Sequence, residues 1–131
     1  MRYAILLSGL ALALTFTLGV GQAGAQEAPK VINVLSIDTG GDTDAFLEFA
    51  KRAQELQTKH GGTGNQRVWL STLSGPTTGT VFVAVEYANL VAMAQSQAKV
   101  GATPDWQKFV AEFQKSGMRV VSNSLSTEVT P

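Results

Sequence analysis

The sequence predicts an α+β domain with the element order β-α-β-β-α-β, an antiparallel sheet carrying its helices on one face. Three observations predict it. Four stretches are rich in β-branched and aromatic residues at strand spacing. Between the first and second, and between the third and fourth, apolar residues recur with the 3.6-residue period of a helix. The second and third stretches are joined by Ser74 to Gly79, a loop of hairpin length, which pairs them as antiparallel neighbours.

The elements follow in order. Val31 to Ile37 reads as the first strand, and Asp38 to Asp42, with Gly40 and Gly41 inside it, as a turn. Asp42 or Thr43 can cap the helix that follows, because a short side-chain oxygen accepts from free backbone N–H groups. Its apolar stripe is Phe46, Phe49, Ala50, Ala53 and Leu56, with Glu48, Lys51, Arg52 and Glu55 off the stripe. Lys59 and His60 place cations at the negative end of the helix dipole, and Gly61 and Gly62 end it. Gln66 to Leu73 is the second strand, with Val68, Leu70 and Thr72 on one face and Arg67, Trp69, Ser71 and Leu73 on the other. Thr80 to Tyr87 is the third, with Val81, Val83, Val85 and Tyr87 opposed by Phe82, Ala84 and Glu86. Asn89 caps a second helix whose predicted stripe is Leu90, Met93, Ala94 and Ala98, interrupted at Gly101. Thr103, Pro104 and Asp105 restart a helix, as cap, first helical position and first-turn acid. The stripe there is Trp106, Phe109, Val110 and Phe113, and Gly117 stops it. Arg119 to Val129 is the last strand, with Val121, Leu125 and Val129 expected on one face. This order is the ferredoxin-like arrangement.

The start of the chain has a different character. Met1 and Arg2 supply positive charge, Tyr3 to Val20 is free of charge and mostly apolar, and Ala23 and Ala25 form an A-x-A site. Charge, apolar run and small-residue site in that order predict a secretory signal peptide over residues 1–25, leaving residues 26–131 as one domain. The protein is therefore expected to be exported, to the periplasm or outside the cell, with no stable membrane anchor after cleavage. The chain has no cysteine, so disulfide staples, thiolate zinc sites and a lipoprotein anchor are excluded. Ten basic and ten acidic residues give no basic face for nucleic acid.

A ferredoxin-like sheet leaves its second face bare, yet these strands are apolar on both. Ile32 and Val34 oppose Leu35 and Ile37; Trp69 and Leu73 oppose Val68 and Leu70; Phe82 and Ala84 oppose the valines of the third strand. A bare face holding Trp69 and Phe82 is a large apolar patch that calls for a cover. A second copy of the chain is the economical one, since two-fold homodimers are the commonest assembly.

With these residues in place, the chain resembles the dimeric α/β-barrel superfamily, in its NIPSNAP-like branch. The segment Val81–Leu90 resembles a third strand running into "Y-x-(D/N)-L", and Thr103–Phe109 resembles the family's "D-P-x-W-x-x-F", here in the order Pro104, Asp105, Trp106. The basic residues that often follow the leucine in that family are replaced by Val91 to Gln95. The resemblance implies sheets paired into a closed barrel, and a superfamily of cofactor-free monooxygenases, haem-degrading enzymes and isomerases. Haem degraders pair a strand asparagine with a tryptophan and a histidine on the second helix. Asn33 stands on the first strand, but no histidine lies in residues 89–116, so that activity is not carried over.

The candidate ligand-binding residues are Asn33, Arg67, Trp69, Phe82 and Glu86, expected to face the barrel interior, with Arg67 and Glu86 as a cross-strand pair. No metal site and no cofactor are expected. His60, the one histidine, is explained as a helix C-terminal cation. Asp38, Asp42 and Asp44 are explained by turn and cap rather than calcium, since no further ligands follow at EF-hand spacing. The glycines of residues 61–64 lack the lysine of a phosphate loop and read as a flexible connection. The expected role is an exported barrel domain that binds a small apolar ligand or serves as an envelope interaction module. The alternative is a cofactor-independent monooxygenase-like enzyme acting on an aromatic or quinone-like substrate, with Asn33, Arg67 and Glu86 as its polar residues.

Overall fold

The structure is a computed structural model and describes residues 28–131. The signal peptide predicted over residues 1–25, with its cleavage after Ala25, lies outside the described residues.

The chain runs β1 (Val31–Asp38), α1 (Thr43–Lys59), β2 (Asn65–Leu70), a single 3₁₀ turn (Gly75–Thr77), β3 (Val81–Tyr87), α2 (Leu90–Gly101), α3 (Pro104–Lys115) and β4 (Arg119–Thr127). The four strands form one antiparallel sheet in the order β2-β3-β1-β4. This is the predicted ferredoxin-like topology.

Each helix starts where its cap can accept. Asp42 takes the Ala45 N–H at 3.0 Å, Asn89 the Ala92 N–H at 2.8 Å and Thr103 the Trp106 N–H at 3.4 Å. The turn before α1 needs glycine twice, at Gly40 and Gly41, where φ is +63° and +92°. Asp38 steadies that turn by accepting from the Gly40 N–H at 2.9 Å.

The core lies between the sheet and the helices. Val31, Leu35 and Ile37 of β1 and Val81, Val83, Val85 and Tyr87 of β3 meet Phe46, Ala50 and Met118, with Phe49, Met93 and Phe113 at its margin. Burying a side chain such as Phe46 contributes about 1.5–3 kcal/mol. Phe49 packs edge-on against Phe109 and Phe113 at centroid distances of 5.9 and 5.7 Å, which ties α1 to α3. Of the aromatic stripe of α3, Phe109 is buried as its spacing predicted, while Trp106 and Phe113 are half-buried.

Four local expectations are corrected. Strand β2 ends at Leu70, not Leu73: the hairpin closes early, with Ser71 exchanging backbone hydrogen bonds with Thr80 and Gly79, and Leu73 is 97% exposed. Strand β4 ends at Thr127, and a register shift opposite Ser36 and Ile37 breaks its alternation. Val120, not Val121, therefore stands opposite Ile37. The inward side of α2 is not the predicted stripe: Ser96 and Val100 are buried and Met93 half-buried, while Leu90, Ala94 and Ala98 are exposed. The helix is turned this way because Ser96 has work inside. Its Oγ accepts from the Thr63 N–H at 3.0 Å. Finally, residues 61–64 are not a loose connection. Gly64 is buried, and a Cβ there would collide with a methyl of Val85 and stand 2.8 Å from the Tyr87 ring. Only glycine fits.

Candidate functional site

Residues directly opposite one another in antiparallel strands share a face. The register therefore sorts the sheet into two sides. Towards the helices lie the rows Val68–Val83–Leu35–Asn123 and Gln66–Val85–Asn33–Leu125. On the other side lie Trp69–Phe82–Ser36–Ser122, Arg67–Ala84–Val34–Ser124 and Asn65–Glu86–Ile32–Ser126. Those side chains stand outside the core cluster, on the bare face of the sheet.

The bare face has an aromatic wall and a hydroxyl wall. Trp69 and Phe82 are direct cross-strand partners; Trp69 is 50% exposed and Phe82 half-buried. Ile32, Val34 and Ala84 form the apolar floor between the walls. Ser36, Ser122, Ser124 and Ser126 form the second wall, where Ser122 Oγ donates to Ser36 Oγ at 2.9 Å. The serine wall was legible in β4 as serine at every second position, a period of two that puts three hydroxyls on one face.

Four of the five expected site residues, Arg67, Trp69, Phe82 and Glu86, are on this face. Asn33 is the correction. It pairs with Val85 and Leu125 in a row facing the helices, and its Oδ1 is buried with no hydrogen-bond partner. The alternation of β1 decides this: Val31 and Ile37 are core, so Asn33 between them at even spacing must face the same way. The expected Arg67–Glu86 pair is also corrected. Glu86 meets Lys30 at 3.9 Å, because Lys30 lies on the same side as Ile32, and Arg67 has no ion pair among the described residues.

The titratable groups elsewhere are structural. The Lys59 ammonium, and after it His60, hold the Asp105 carboxyl below the usual range, at 2.7 and 3.0 Å. Lys59 and His60 close α1 while Asp105 opens α3, so both helix dipoles favour the contact. His60 thus stands at the helix end, with its Nε2 against the Asp105 carboxylate. Arg119 lowers Asp38, with the Gly40 N–H as second cause, and Arg52 lowers Glu112. Burial pushes the Tyr87 phenol up, against the pull of its bond to Ser96. Among the described residues, no three histidine, cysteine, aspartate or glutamate side chains gather as a metal site, and no helix is long and apolar enough to cross a membrane.

The backbone path can be compared with solved structures. A NIPSNAP family protein from Agrobacterium tumefaciens superposes with a TM-score of 0.58, over 84% of this chain and 93% of that one, at 14% identity. The chain has the same ferredoxin-like fold as that protein. A NIPSNAP-like domain protein from Burkholderia xenovorans agrees, with a TM-score of 0.57 at 17% identity over 81% of this chain and 88% of its own. SnoaB, a cofactor-independent oxygenase from Streptomyces nogalater, superposes at 0.52 with 10% identity, over 79% and 95% of the two chains. At these identities the likeness of the chain to its neighbours is one of fold. No family model matches the sequence, and no curated protein matches it.

Proposed function

We infer that this NIPSNAP-like domain is exported and works as a homodimer whose two bare sheet faces close over a small, flat, apolar ligand. One observation carries the reading: Trp69 and Phe82 stand side by side on a sheet face that none of the described helices covers. Two aromatics on a rigid sheet are strong anchors for a flat apolar body, and such sites combine an apolar lining with a few polar groups that set orientation. The serine wall supplies those groups here. The neighbours' fold supports the pairing of sheets, and the charge, apolar run and A-x-A site of residues 1–25 support export.

Native mass spectrometry of the protein purified from the cells that export it tests the reading. A dimer starting at Gln26 and carrying a ligand mass of a few hundred daltons is expected. A ligand-free monomer would remove both the pairing and the pocket, and a chain still starting at Met1 would remove the export.

The oxygenase alternative has SnoaB's fold likeness behind it. With Asn33 on the other side of the sheet, its polar groups reduce to Arg67, Glu86 and the serines. Oxygen uptake with quinol substrates would detect it, and uptake unchanged by loss of Arg67 and Glu86 would dismiss it.

A further inference from the structure

Arg67 stands on the bare face of the sheet with no opposite charge against it among the described residues. The nearby acids are engaged or distant. Glu86 meets Lys30 at 3.9 Å, and Asp38, at the far end of β1, meets Arg119 at 2.7 Å. Glu128 follows the end of β4, three strands from β2 and roughly 14 Å away. The surroundings of Arg67 are otherwise apolar. Trp69 lies two residues along the same strand on the same face, about 7 Å away. Across the strands the row runs from Arg67 through Ala84 and Val34 to Ser124. Ala84 is 8% exposed, although it is outside the core cluster and on the side that none of the described helices covers. The longer side chains around it, Arg67, Phe82, Glu86 and Val34, rise above its methyl group. The face therefore has a low apolar floor at Ala84, an aromatic wall beside it and a cation at one end.

On the reading that two bare faces close over a flat ligand, we propose that this ligand is an aromatic monoacid, its ring against Trp69 and Phe82 and its carboxylate on Arg67. Closure takes the guanidinium out of water, and a buried charge needs a partner. Lys30 already holds Glu86, so the ligand supplies the missing negative charge. A guanidinium offers two parallel N–H groups to the two oxygens of a carboxylate, which fixes the plane of the acid as well as its place. The short separation of Arg67 and Trp69 sets the acid on the ring or next to it. One cation balances one negative charge; a phosphate would bring a second, for which this end of the face has no second cation. At the other end of the row Ser124 offers a neutral hydroxyl, suited to a hydroxyl or carbonyl oxygen on the far edge of the ring system.

Isothermal titration with 2-naphthoate and its uncharged counterpart 2-naphthamide tests it, on the full chain refolded from urea so that no ligand is carried over. Wild type is expected to bind the acid at least about tenfold more tightly than the amide. Arg67→Gln removes that preference and leaves the affinity for the amide as in wild type. Arg67→Lys, which keeps the charge and loses the fork, falls between them. Trp69→Asp with Phe82→Asp abolishes binding of both probes. Arg67 is exposed, so a thermal melt of Arg67→Gln equal to wild type separates a lost contact from a damaged fold. If wild type binds both probes equally and loses both with Trp69 and Phe82, the aromatic site stands and the acid is wrong. If the preference survives Arg67→Gln, another group holds the carboxylate and the role of Arg67 is wrong. If the preference depends on Arg67 in a protein that sediments as a monomer, the acid site stands and the closure of two faces is wrong. Binding of neither probe overturns both. If Arg67→Glu splits a ligand-free pair and Glu86→Arg added to it restores the pair, the partner subunit's Glu86 neutralises Arg67 and the acid is wrong.

Discussion

Trp69 on β2 and Phe82 on β3 stand directly opposite each other, on the side of the sheet away from the core. An aromatic cross-strand pair stabilises a sheet, but one left half open to water is a poor use of two large apolar side chains. Its natural completion is a surface laid against it.

Replacing both residues by aspartate is expected to abolish sheet-to-sheet pairing while leaving the domain folded. Neither side chain belongs to the core cluster. Sedimentation beside a thermal melt checks this. Retained pairing, or a collapse of the fold itself, would contradict the assignment of the face.

Gly64→Ala is expected to destabilise the domain by about 1–3 kcal/mol, the usual cost of forcing extra volume into a packed site. The methyl group would collide with Val85 and Tyr87, both in the core and neither able to withdraw. Urea denaturation measures the loss; a midpoint equal to wild type would mean that the β2–β3 edge yields more easily than its packing implies.

Asn33→Leu is expected to raise stability by about 1 kcal/mol or more, because it removes a buried oxygen that has no partner. The same change should leave ligand capture on the bare face untouched, since Asn33 is on the other side of the sheet. A variant that folds well and loses ligand would return Asn33 to the binding site.

The contact of Lys59 and His60 with Asp105 sets the direction of a pH effect. The folded-state carboxyl titrates below its ordinary value, chiefly through Lys59. Its stabilisation is therefore present above the unfolded-state value of about 4 and is lost as pH falls through the lower folded value. Asp38 and Glu112 act in the same sense. Asp105→Asn should flatten the decline of stability below about pH 4 and reduce stability at pH 7, with little difference left at acid pH. Chemical denaturation at several pH values reads this; parallel profiles for wild type and variant would exclude the contact.

Much of the fold was legible along the chain because it is written in local chemistry. The helix starts at Asp42, Asn89 and Thr103 follow from short oxygen-bearing side chains that bond the backbone beside them. The strands follow from alternation: with Val81, Val83 and Val85 on one side, Phe82 and Glu86 had to take the other. Arg67, Trp69, Phe82 and Glu86 were placed together by that rule alone.

What the sequence by itself determined is thus the order of elements, their caps and the alternation within each strand. The tertiary structure decided everything that depends on a partner distant in sequence. It put Asn33 under the helices, because the ends of β1 are fixed by core contacts at Val31 and Ile37. It moved Val120 into the place expected of Val121, because β4 bulges against β1. It turned α2 about its axis, with Ser96 buried and accepting from the Thr63 N–H, a bond that no helical stripe records. It also made Gly64 indispensable, since the space that excludes a side chain there is bounded by β3. Local preference chooses the form of a segment; which side of it is buried depends on the surfaces it meets, and those meet only when the chain is folded.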